Sequence, residues 1–327
     1  MKKKIAITQG DMQGIGPEVI VKAIYHTEIR DCCIPFVIGD IDVMAEAVRL
    51  TGLPINIREI KSPEEAKADS IDVMHIIYPQ SKGRFLKDAV PTQEAGYAVA
   101  AYIKKAVRVA MEKKVDAIVT APISKESLRL AGYPWPGHTE LLAELTGVKD
   151  YAMMFVGGRL RVILVTIHTA LRNVPALITK DAVLKTIRLA RRACDMMGIG
   201  RQRIAVSGLN PHAGEAGLFG DEEIREITPA IEEAKKEGIN VSGPYPPDIV
   251  FHKAYRKEVD IIVSMYHDQG LIPLKMIAFD KGVNVTVGLP IIRTSPDHGT
   301  AFDIAWKGIA SPSSMIEAIK MAVKLSS

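Results

Sequence analysis

The chain has 327 residues, of which 47% are hydrophobic and 24% are charged, and its formal net charge is +4. This length allows a large buried core in one long domain or in two, and the absence of a basic block argues against a nucleic-acid partner. No apolar run approaches the roughly 20 residues that span a bilayer, no signal peptide is visible, and the three cysteines lack metal-ligand spacing. We therefore expect a cytoplasmic protein with reduced thiols and no membrane partner.

Short apolar runs alternate with helical patterns along the whole chain. The predicted strands are 4–8, 35–39, 55–60, 71–77, 115–120, 161–167, 203–208, 260–266 and 283–287. The predicted helices are 17–25, 41–50, 92–114, 139–146, 181–197, 221–237 and 313–325, and a further helix is predicted to start after residues 121–125. This alternation favours a mainly parallel, three-layer α/β architecture.

A glycine-rich loop, residues 9–16, joins the first strand to the first helix. The spacing of Gly10, Gly14 and Gly16 fits neither the dinucleotide fingerprint nor the P-loop. A tight turn is therefore the favoured interpretation, with a phosphate cradle as the alternative. Further along, His138 and Thr139 begin a predicted helix, where an N-terminus can bind an anion.

Three predicted strands each lead into a histidine: His168, His212 and His267. Three neutral imidazoles suit zinc, cobalt and similar ions and leave positions open for substrate oxygens. Their spacing matches no local motif, and a single histidine is more often structural. A metal site assembled by the fold and three unrelated histidines therefore both stand as interpretations.

A second polar group lies downstream of the third histidine. Lys275, Asn284 and Arg293 fall near strand ends, where a lysine, an amide and an arginine can bind a phosphate and a carboxylate. The alternative is that these charges only keep the surface of the sheet soluble.

Four segments, 136–140, 210–215, 266–270 and 282–295, together resemble the 4-hydroxythreonine-4-phosphate dehydrogenase family, PdxA. Residues 7–18 are similar to that family's N-terminal signature, with Met12 and Gln13 where proline and alanine are usual. The resemblance implies two α/β/α domains with mainly parallel sheets, similar to the isocitrate/isopropylmalate dehydrogenase-like fold. We expect the first domain at 1–125 plus 290–327. The second, at 126–289, would carry the metal ligands and much of the dimer interface, with the active site in the cleft between the domains.

The resemblance also implies the roles of individual residues in a homodimeric, NAD-linked dehydrogenase with shared active sites. One divalent metal per site, zinc or else magnesium, manganese or cobalt, would be bound by His168, His212 and His267, the last from the partner subunit. The implied substrate contacts are His138, Thr139, Lys275, Asn284 and Arg293. Candidate proton acceptors are Asp268 and Lys275. Residues 297–303 are similar to the adenine-side cofactor loop of isocitrate and isopropylmalate dehydrogenases, which makes His298, Gly299, Thr300 and Asp303 candidate NAD contacts.

Five segments, 141–143, 150–153, 168–172, 217–222 and 300–306, are similar to the PdxA2-type branch of the family. That branch oxidises the C3 hydroxyl of 4-phospho-D-threonate or 4-phospho-D-erythronate in sugar-acid catabolism, and β-decarboxylation then yields dihydroxyacetone phosphate. The alternative is 4-hydroxythreonine-4-phosphate dehydrogenase of pyridoxine and pyridoxal phosphate biosynthesis, whose substrate carries an amine at C2. A metal-dependent hydrolase or lyase of phosphorylated sugar acids and a non-catalytic sensor are more remote alternatives.

Overall fold

The computed structural model describes residues 2–69, 72–79 and 88–327. The chain divides into two compact units. Unit 1 comprises Met1–Lys149 and Leu289–Ser327, and unit 2 comprises Asp150–Gly288. Residues 126–149, which we expected in the second domain, cluster with unit 1. The predicted cleft between the domains stays a prediction.

The helices and strands follow the predicted alternation. In chain order, the strands of the described residues are β1 (Lys3–Thr8), β2 (Cys33–Ile38), β3 (Asn56–Glu59), β4 (Val73–Ile77), β5 (Ala117–Thr120), β6 (Ala152–Gly157), β7 (Leu160–Leu164), β8 (Ile204–Ser207), β9 (Val241–Tyr245), β10 (Ile261–Ser264), β11 (Val283–Val287) and β12 (Arg293–Pro296). The helices are α1 (Gly16–Ile24), α2 (Thr27–Cys32), α3 (Ile41–Thr51), α4 (Gln93–Met111), α5 (Lys125–Leu130), α6 (His138–Thr146), α7 (Val174–Leu177), α8 (Lys180–Met196), α9 (Thr228–Lys236), α10 (Pro247–Tyr255), α11 (His267–Ala278) and α12 (Ser313–Leu325). Across the part of the chain that the structure describes, no helix is both long and apolar enough to cross a membrane.

The sheet of unit 1 has the spatial order β3, β4, β2, β1, β5 and β12, and every pairing described within it is parallel. Helix α4 covers part of this sheet with an alanine-rich buried face. Its N-terminus is capped by Thr92, whose Oγ1 accepts a hydrogen bond from the backbone N–H of Ala95 at 3.1 Å. Small residues allow α4 to approach α5 closely, and Gly96 lies at this contact: a Cβ there would overlap the carbonyl oxygen of Ser127.

The sheet of unit 2 has the spatial order β11, β6, β7, β10, β8 and β9. Strands β7, β10, β8 and β9 are parallel to one another, while β6 pairs antiparallel with both β7 and β11. Parallel neighbours end at the same edge of a sheet, so the segments that follow β7, β10 and β8 begin side by side. Open α/β sheets bind ligands at this edge.

Several elements of the two units were predicted wrongly or missed. No helix was predicted between residues 266 and 283, because Gly270 signals a turn, but residues from His267 to Ala278 form α11. Gly270 has another purpose: a Cβ there would lie 2.7 Å from the Val162 side chain, so glycine allows the helix to pack against β7. Strand β9 was missed because it contains Pro244, which is tolerated where β9 ends the described sheet. Strands β6 and β12 and helices α2, α7 and α10 were also missed.

The close contact between α4 and α5 can be tested by adding one methyl group. We expect Gly96→Ala to lower the free energy of unfolding by about 1–3 kcal/mol, because an overpacked contact forces neighbouring backbone to move. Gly200→Ala is the matched control, since a Cβ at Gly200 meets no atom within 4 Å. Thermal unfolding should separate the two variants; equal melting temperatures would contradict this description of the α4–α5 contact.

Candidate active site

Two of the predicted histidines lie beside each other in unit 2. The ring centroids of His168 and His267 are 5.9 Å apart, and the ring planes are inclined by 43°. Both rings line an open cavity of about 540 Å³ that is also lined by Thr169, Tyr266 and Asp268. The structure therefore joins two residues that are almost a hundred positions apart in sequence.

Backbone pairing beyond the strands explains this proximity. Strands β7 and β10 are parallel neighbours, with Leu164 opposite Ser264. The pairing continues past their ends, where the Val165 N–H donates to the Ser264 carbonyl at 2.9 Å and the Thr166 N–H donates to the Met265 carbonyl at 3.1 Å. The hydroxyl of Thr166 donates to the same Met265 carbonyl at 2.7 Å. Both chains are thus held together until they reach the histidines.

The distance between the two rings fits a shared metal ion. Because a Zn–N bond is about 2.0–2.1 Å, the centre of a coordinating imidazole lies about 3.2 Å from the ion, and two such centres lie within about 6.4 Å of each other. The 5.9 Å between His168 and His267 meets this limit. Imidazole donors suit zinc and cobalt, so this pair could supply two ligands to a divalent ion.

Asp268 and Lys275 lie on the same helix as His267. The Nδ1 atom of His267 is 2.6 Å from Oδ1 of Asp268, which is a hydrogen bond. With Nδ1 engaged in this way, Nε2 is the ring nitrogen that can bind a metal ion. Lys275 follows Asp268 by two helical turns, and both residues line a second open cavity together with His267 and Met276. Unit 2 therefore brings four of the predicted site residues, His168, His267, Asp268 and Lys275, into one neighbourhood.

The third predicted histidine, His212, has a different aromatic neighbour, Phe219. It follows β8, begins a turn of left-handed backbone with φ of 53°, and its ring centroid is 6.0 Å from that of Phe219. It does not line the cavity of His168 and His267. In residues 2–69, 72–79 and 88–327, no three His, Cys, Asp or Glu side chains are grouped so as to hold a metal ion.

Unit 1 contains a buried cation at the end of β5 and the start of β12. The Arg293 side chain is buried, and its Nε and Nη2 atoms donate to the Thr120 hydroxyl at 3.1 and 2.7 Å. Burial lowers the pKa of Arg293 to about 9, and the charge of Glu140 opposes this shift only in part. The guanidinium therefore remains cationic at neutral pH and can bind an anionic group.

His138 begins α6 and lies close enough to Arg293 to respond to its charge. Burial, and then the positive charge of Arg293, hold the pKa of His138 well below its ordinary value, so the imidazole is neutral at pH 7. Its Nε2 atom is shielded from solvent and makes no hydrogen bond within the described residues. Thr139, also buried, is the next residue of this N-terminal turn. An arginine, a neutral imidazole and a helix N-terminus form a group that suits a phosphate or a carboxylate.

Asn284 lies in unit 2, on β11, opposite Phe155 of β6. Its side chain is buried, and its Oδ1 atom makes no hydrogen bond within the described residues. A buried carbonyl oxygen without a donor is costly unless a ligand or water supplies one. This position is compatible with the predicted substrate contact and does not test it.

The loop that carries the candidate cofactor residues packs against the glycine-rich N-terminal loop of unit 1. The Ile15 N–H donates to the Thr300 carbonyl at 2.9 Å, and a Cβ at Gly14 would lie 2.9 Å from Thr300. His298 is 3.1 Å from the Gly299 carbonyl through Nδ1, and a Cβ at Gly299 would meet open space. Asp303 follows in the same loop.

The glycine-rich loop uses several of its own amides within the fold. The Asp11 N–H donates to the Pro122 carbonyl at 2.9 Å, and the Gly14 N–H donates to the Asp11 carbonyl at 3.1 Å. Burial raises the pKa of Asp11, although hydrogen bonds from Gln13 and Ser127 oppose the shift. These contacts favour the tight-turn interpretation over the phosphate cradle.

Two residues of these neighbourhoods were missed in the sequence. Thr120, which accepts from Arg293, ends a predicted strand, so its position was a usable signal. Gln269 is buried, accepts from the Met265 N–H at 2.7 Å and donates to the Gly208 carbonyl at 2.8 Å. It thereby links the end of β10 to the end of β8, and only the folded chain reveals this role.

Comparison with known proteins gives extensive matches. A family model described as "Pyridoxal phosphate biosynthetic protein PdxA" matches residues 31–322. A 4-hydroxythreonine-4-phosphate dehydrogenase from Desulfosudis oleivorans is 50% identical over 323 residues, which cover 98% of this chain and 95% of that protein. A D-threonate 4-phosphate dehydrogenase from Cupriavidus necator is 47% identical over 325 residues, which cover 98% of this chain and 96% of that protein.

Solved structures agree with these sequence matches. The crystal structure of a 4-hydroxythreonine-4-phosphate dehydrogenase from Klebsiella pneumoniae has a TM-score of 0.92 at 43% identity and covers 100% of this chain and 98% of that chain. A β-decarboxylating dehydrogenase from Thermococcus kodakarensis has a TM-score of 0.53 at 18% identity, over 98% of this chain and 82% of that chain, and shows the fold alone. The predicted fold class is confirmed.

The neutral state of His138 predicts how stability depends on pH. The unfolded chain binds a proton at this imidazole below about pH 6.5, whereas the folded protein does not, so the free energy of unfolding should fall as the pH falls below that value. Between pH 7.5 and pH 5.5, we expect the free energy of unfolding to decrease by about 1 kcal/mol less in His138→Asn than in wild type. Denaturant unfolding at both pH values measures this difference. His26→Asn, at an exposed position, is the control, and identical losses in wild type and His138→Asn would contradict the assignment.

Proposed function

Because this chain belongs to the PdxA family and is therefore an enzyme, a dehydrogenase acting on a CH–OH group, we propose that it oxidises the C3 hydroxyl of a 4-phosphorylated four-carbon acid. The oxidant would be NAD⁺, with a divalent metal at the reacting centre. The substrate would be 4-phospho-D-threonate or 4-phospho-D-erythronate. Hydride transfer to NAD⁺ and loss of the hydroxyl proton would give NADH and a 3-keto acid. This keto acid would then lose CO₂ and take up one proton, which gives dihydroxyacetone phosphate.

The observation that carries this proposal is the histidine pair at the ends of β7 and β10. Its 5.9 Å separation suits a divalent ion. When bound, such an ion supplies Lewis-acid stabilisation of negative charge on an alcohol oxygen and on the enolate left by decarboxylation. His168 and His267 would hold the ion, and the hydrogen bond that Asp268 accepts from Nδ1 would fix the ring orientation of His267.

The hydrogen bond between His267 and Asp268 suggests different roles for the two candidate proton acceptors, Asp268 and Lys275. Asp268 is engaged with Nδ1 of His267 at 2.6 Å, which favours an orienting role for this carboxylate. Lys275 lines the neighbouring cavity of about 540 Å³ beside both residues. We therefore assign acceptance of the C3 hydroxyl proton to Lys275 and keep Asp268 as the alternative acceptor.

The anionic ends of the substrate would be bound by the remaining predicted contacts. Arg293 offers a buried positive charge, while His138 and Thr139 offer a neutral imidazole and a helix N-terminus. Asn284 would add its side-chain amide. His298, Gly299, Thr300 and Asp303 would contact NAD from the loop that Ile15 anchors.

The third histidine ligand would come from a second copy of the chain. The family resemblance implies that the partner subunit supplies His267, but the short distance between His168 and His267 within one chain favours His212 in that role. The site would then be complete only in a homodimer.

Exposed apolar side chains in unit 2 support this second copy. Leu171 follows His168 in the chain, and Ile272 and Met276 lie on α11. Leu218, Phe219 and Ile224 follow His212. Met276 is 84% exposed and Leu218 is 73% exposed, which is unfavourable for a monomer in water. A two-fold contact between copies would cover these side chains and bring His212 of one copy towards the histidine pair of the other.

A second candidate is 4-hydroxythreonine-4-phosphate dehydrogenase, the activity named for the relative that is 50% identical. The two substrate classes differ mainly at C2, where one has a hydroxyl and the other an amine. Relatives named for the D-threonate substrate are 47% and 45% identical, so identity alone does not separate the two.

Parallel rate measurements test the proposed substrate. With NAD⁺ and each of Zn²⁺, Mg²⁺, Mn²⁺ and Co²⁺, we expect kcat/KM for 4-phospho-D-threonate or 4-phospho-D-erythronate to exceed that for 4-phosphooxy-L-threonine by at least about tenfold, as expected of a site built for a hydroxyl. Reduced nicotinamide is followed by absorbance, and dihydroxyacetone phosphate is followed with a coupled reductase. A reversed preference would support the second candidate, and NADH formation from none of the three substrates would contradict both.

Mixed dimers test which chain supplies each histidine. Two inactive variants are co-expressed with different tags, and the heterodimer is purified. The His212→Ala/His267→Ala heterodimer should recover about half of the wild-type activity, because one of its two sites is intact. The His168→Ala/His267→Ala heterodimer should stay inactive, because both ligands come from the same chain. Activity in this second heterodimer would instead show that His168 and His267 come from different chains.

A further inference from the structure

The segment that carries His212 has unusual backbone geometry. Five consecutive residues, 212–216, have positive φ, with values of 53°, 55°, 81°, 44° and 57°. Four of the five are not glycine, and left-handed backbone is unfavourable for such residues because Cβ crowds the following carbonyl oxygen. A turn of this kind persists only when surrounding groups hold it in place. The structure should therefore contain a group that holds this turn.

The carboxylate of Glu223 holds the entrance to the turn. Its Oε1 atom accepts hydrogen bonds from the backbone N–H groups of Leu209 and Asn210, at 2.7 and 2.8 Å. Its Oε2 atom accepts from the Asn210 side-chain amide at 2.9 Å. One side chain thus satisfies three donors in the residues that lead into His212.

Close packing shows that the carboxylate is an integral part of the turn. Glu223 is only 2% exposed. A Cβ on Gly214 would lie 2.8 Å from Oε2, and one on Gly208 would lie 3.0 Å from Oε1, so both glycines allow the backbone to close around the carboxylate. Glu223 also begins a π-helical turn, Glu223–Ile227, a local distortion often found at functional sites.

The neighbouring Glu222 makes a different contact and provides a comparison. Its Oε2 atom accepts from the Asn210 side-chain amide at 2.7 Å, the carboxylate also accepts from the backbone of residues 221 and 222, and the residue is partly exposed. Glu222 therefore touches the same asparagine but no backbone N–H of residues 209 and 210 in the described contacts.

We propose that Glu223 is a positioning residue that holds the left-handed turn 212–216 and so aims His212 at the metal. This inference rests on the proposed function, in which His212 is a metal ligand. Glu223 acts through the backbone of residues 209 and 210 and does not touch substrate or metal. Replacing Glu223 should therefore weaken metal binding directly, as is usual for groups that orient a metal ligand.

The test measures metal binding to metal-free protein, so it does not depend on turnover. Wild type, Glu223→Ala, Glu223→Gln, Glu222→Ala and His212→Ala are titrated with Co²⁺ by calorimetry, and circular dichroism checks their folding. We expect Glu223→Ala to weaken Co²⁺ binding by about 10–100-fold. Glu223→Gln keeps one acceptor oxygen and should lose less, which keeps the test usable if the alanine variant does not fold. Glu222→Ala should bind within about twofold of wild type.

Hydrogen exchange gives a second readout that needs no metal. The Leu209 and Asn210 amides should exchange faster in both Glu223 variants, because Glu223 accepts their hydrogen bonds. They should remain as protected as in wild type in Glu222→Ala. Wild-type Co²⁺ affinity in the Glu223 variants, together with lost binding in His212→Ala, would overturn the positioning role and leave the metal site standing. Undiminished binding in His212→Ala would overturn the metal assignment itself, and this inference with it.

Discussion

The parallel pairing of β7 with β10 is the constraint on which the site depends. Two strands that run in the same direction deliver their following residues to the same edge of a sheet, and here the pairing continues through Thr166 and Met265. His168 and His267 therefore meet without any local sequence motif. The neighbouring strand β8 also leads to a histidine, His212, which is the first residue of a left-handed turn. The proximity of His168 and His267 thus follows from the order of the strands in the sheet and not from the spacing of the two residues in the sequence.

In the proposed function, this arrangement would link catalysis to assembly. One chain would supply a pair of imidazoles, and a second copy would cover the exposed apolar side chains around them. If His212 crosses from that copy, an isolated chain would have an incomplete metal site. Unit 1 would contribute a different property, a buried positive charge at Arg293 beside a neutral His138, which suits the phosphorylated acids of the proposed reaction.

Much of the fold could be predicted from hydrophobic periodicity, because buried parallel strands are short apolar runs and the helices carry caps such as Thr92. The strand-end positions of the three histidines were also visible. The helix after His267 was not, because Gly270 signals a turn in sequence but serves close packing in the structure. The left-handed turn at 212–216 was not predictable either, since alanine and glutamate do not favour positive φ and only tertiary contacts to Glu223 compensate. Similarly, nothing local shows that Thr120 meets Arg293 or that residues 126–149 cluster with unit 1.

The most direct test of the central claim is to locate the metal. Crystals grown with Co²⁺ would be measured at the cobalt absorption edge, where anomalous scattering identifies the ion. We expect one anomalous peak per active site, within about 2.0–2.2 Å of its nitrogen ligands. Two of these ligands should be His168 and His267 of one chain, and the third should be His212 of a second copy. A peak bound by other residues, or by His168 and His267 of different chains, would contradict it.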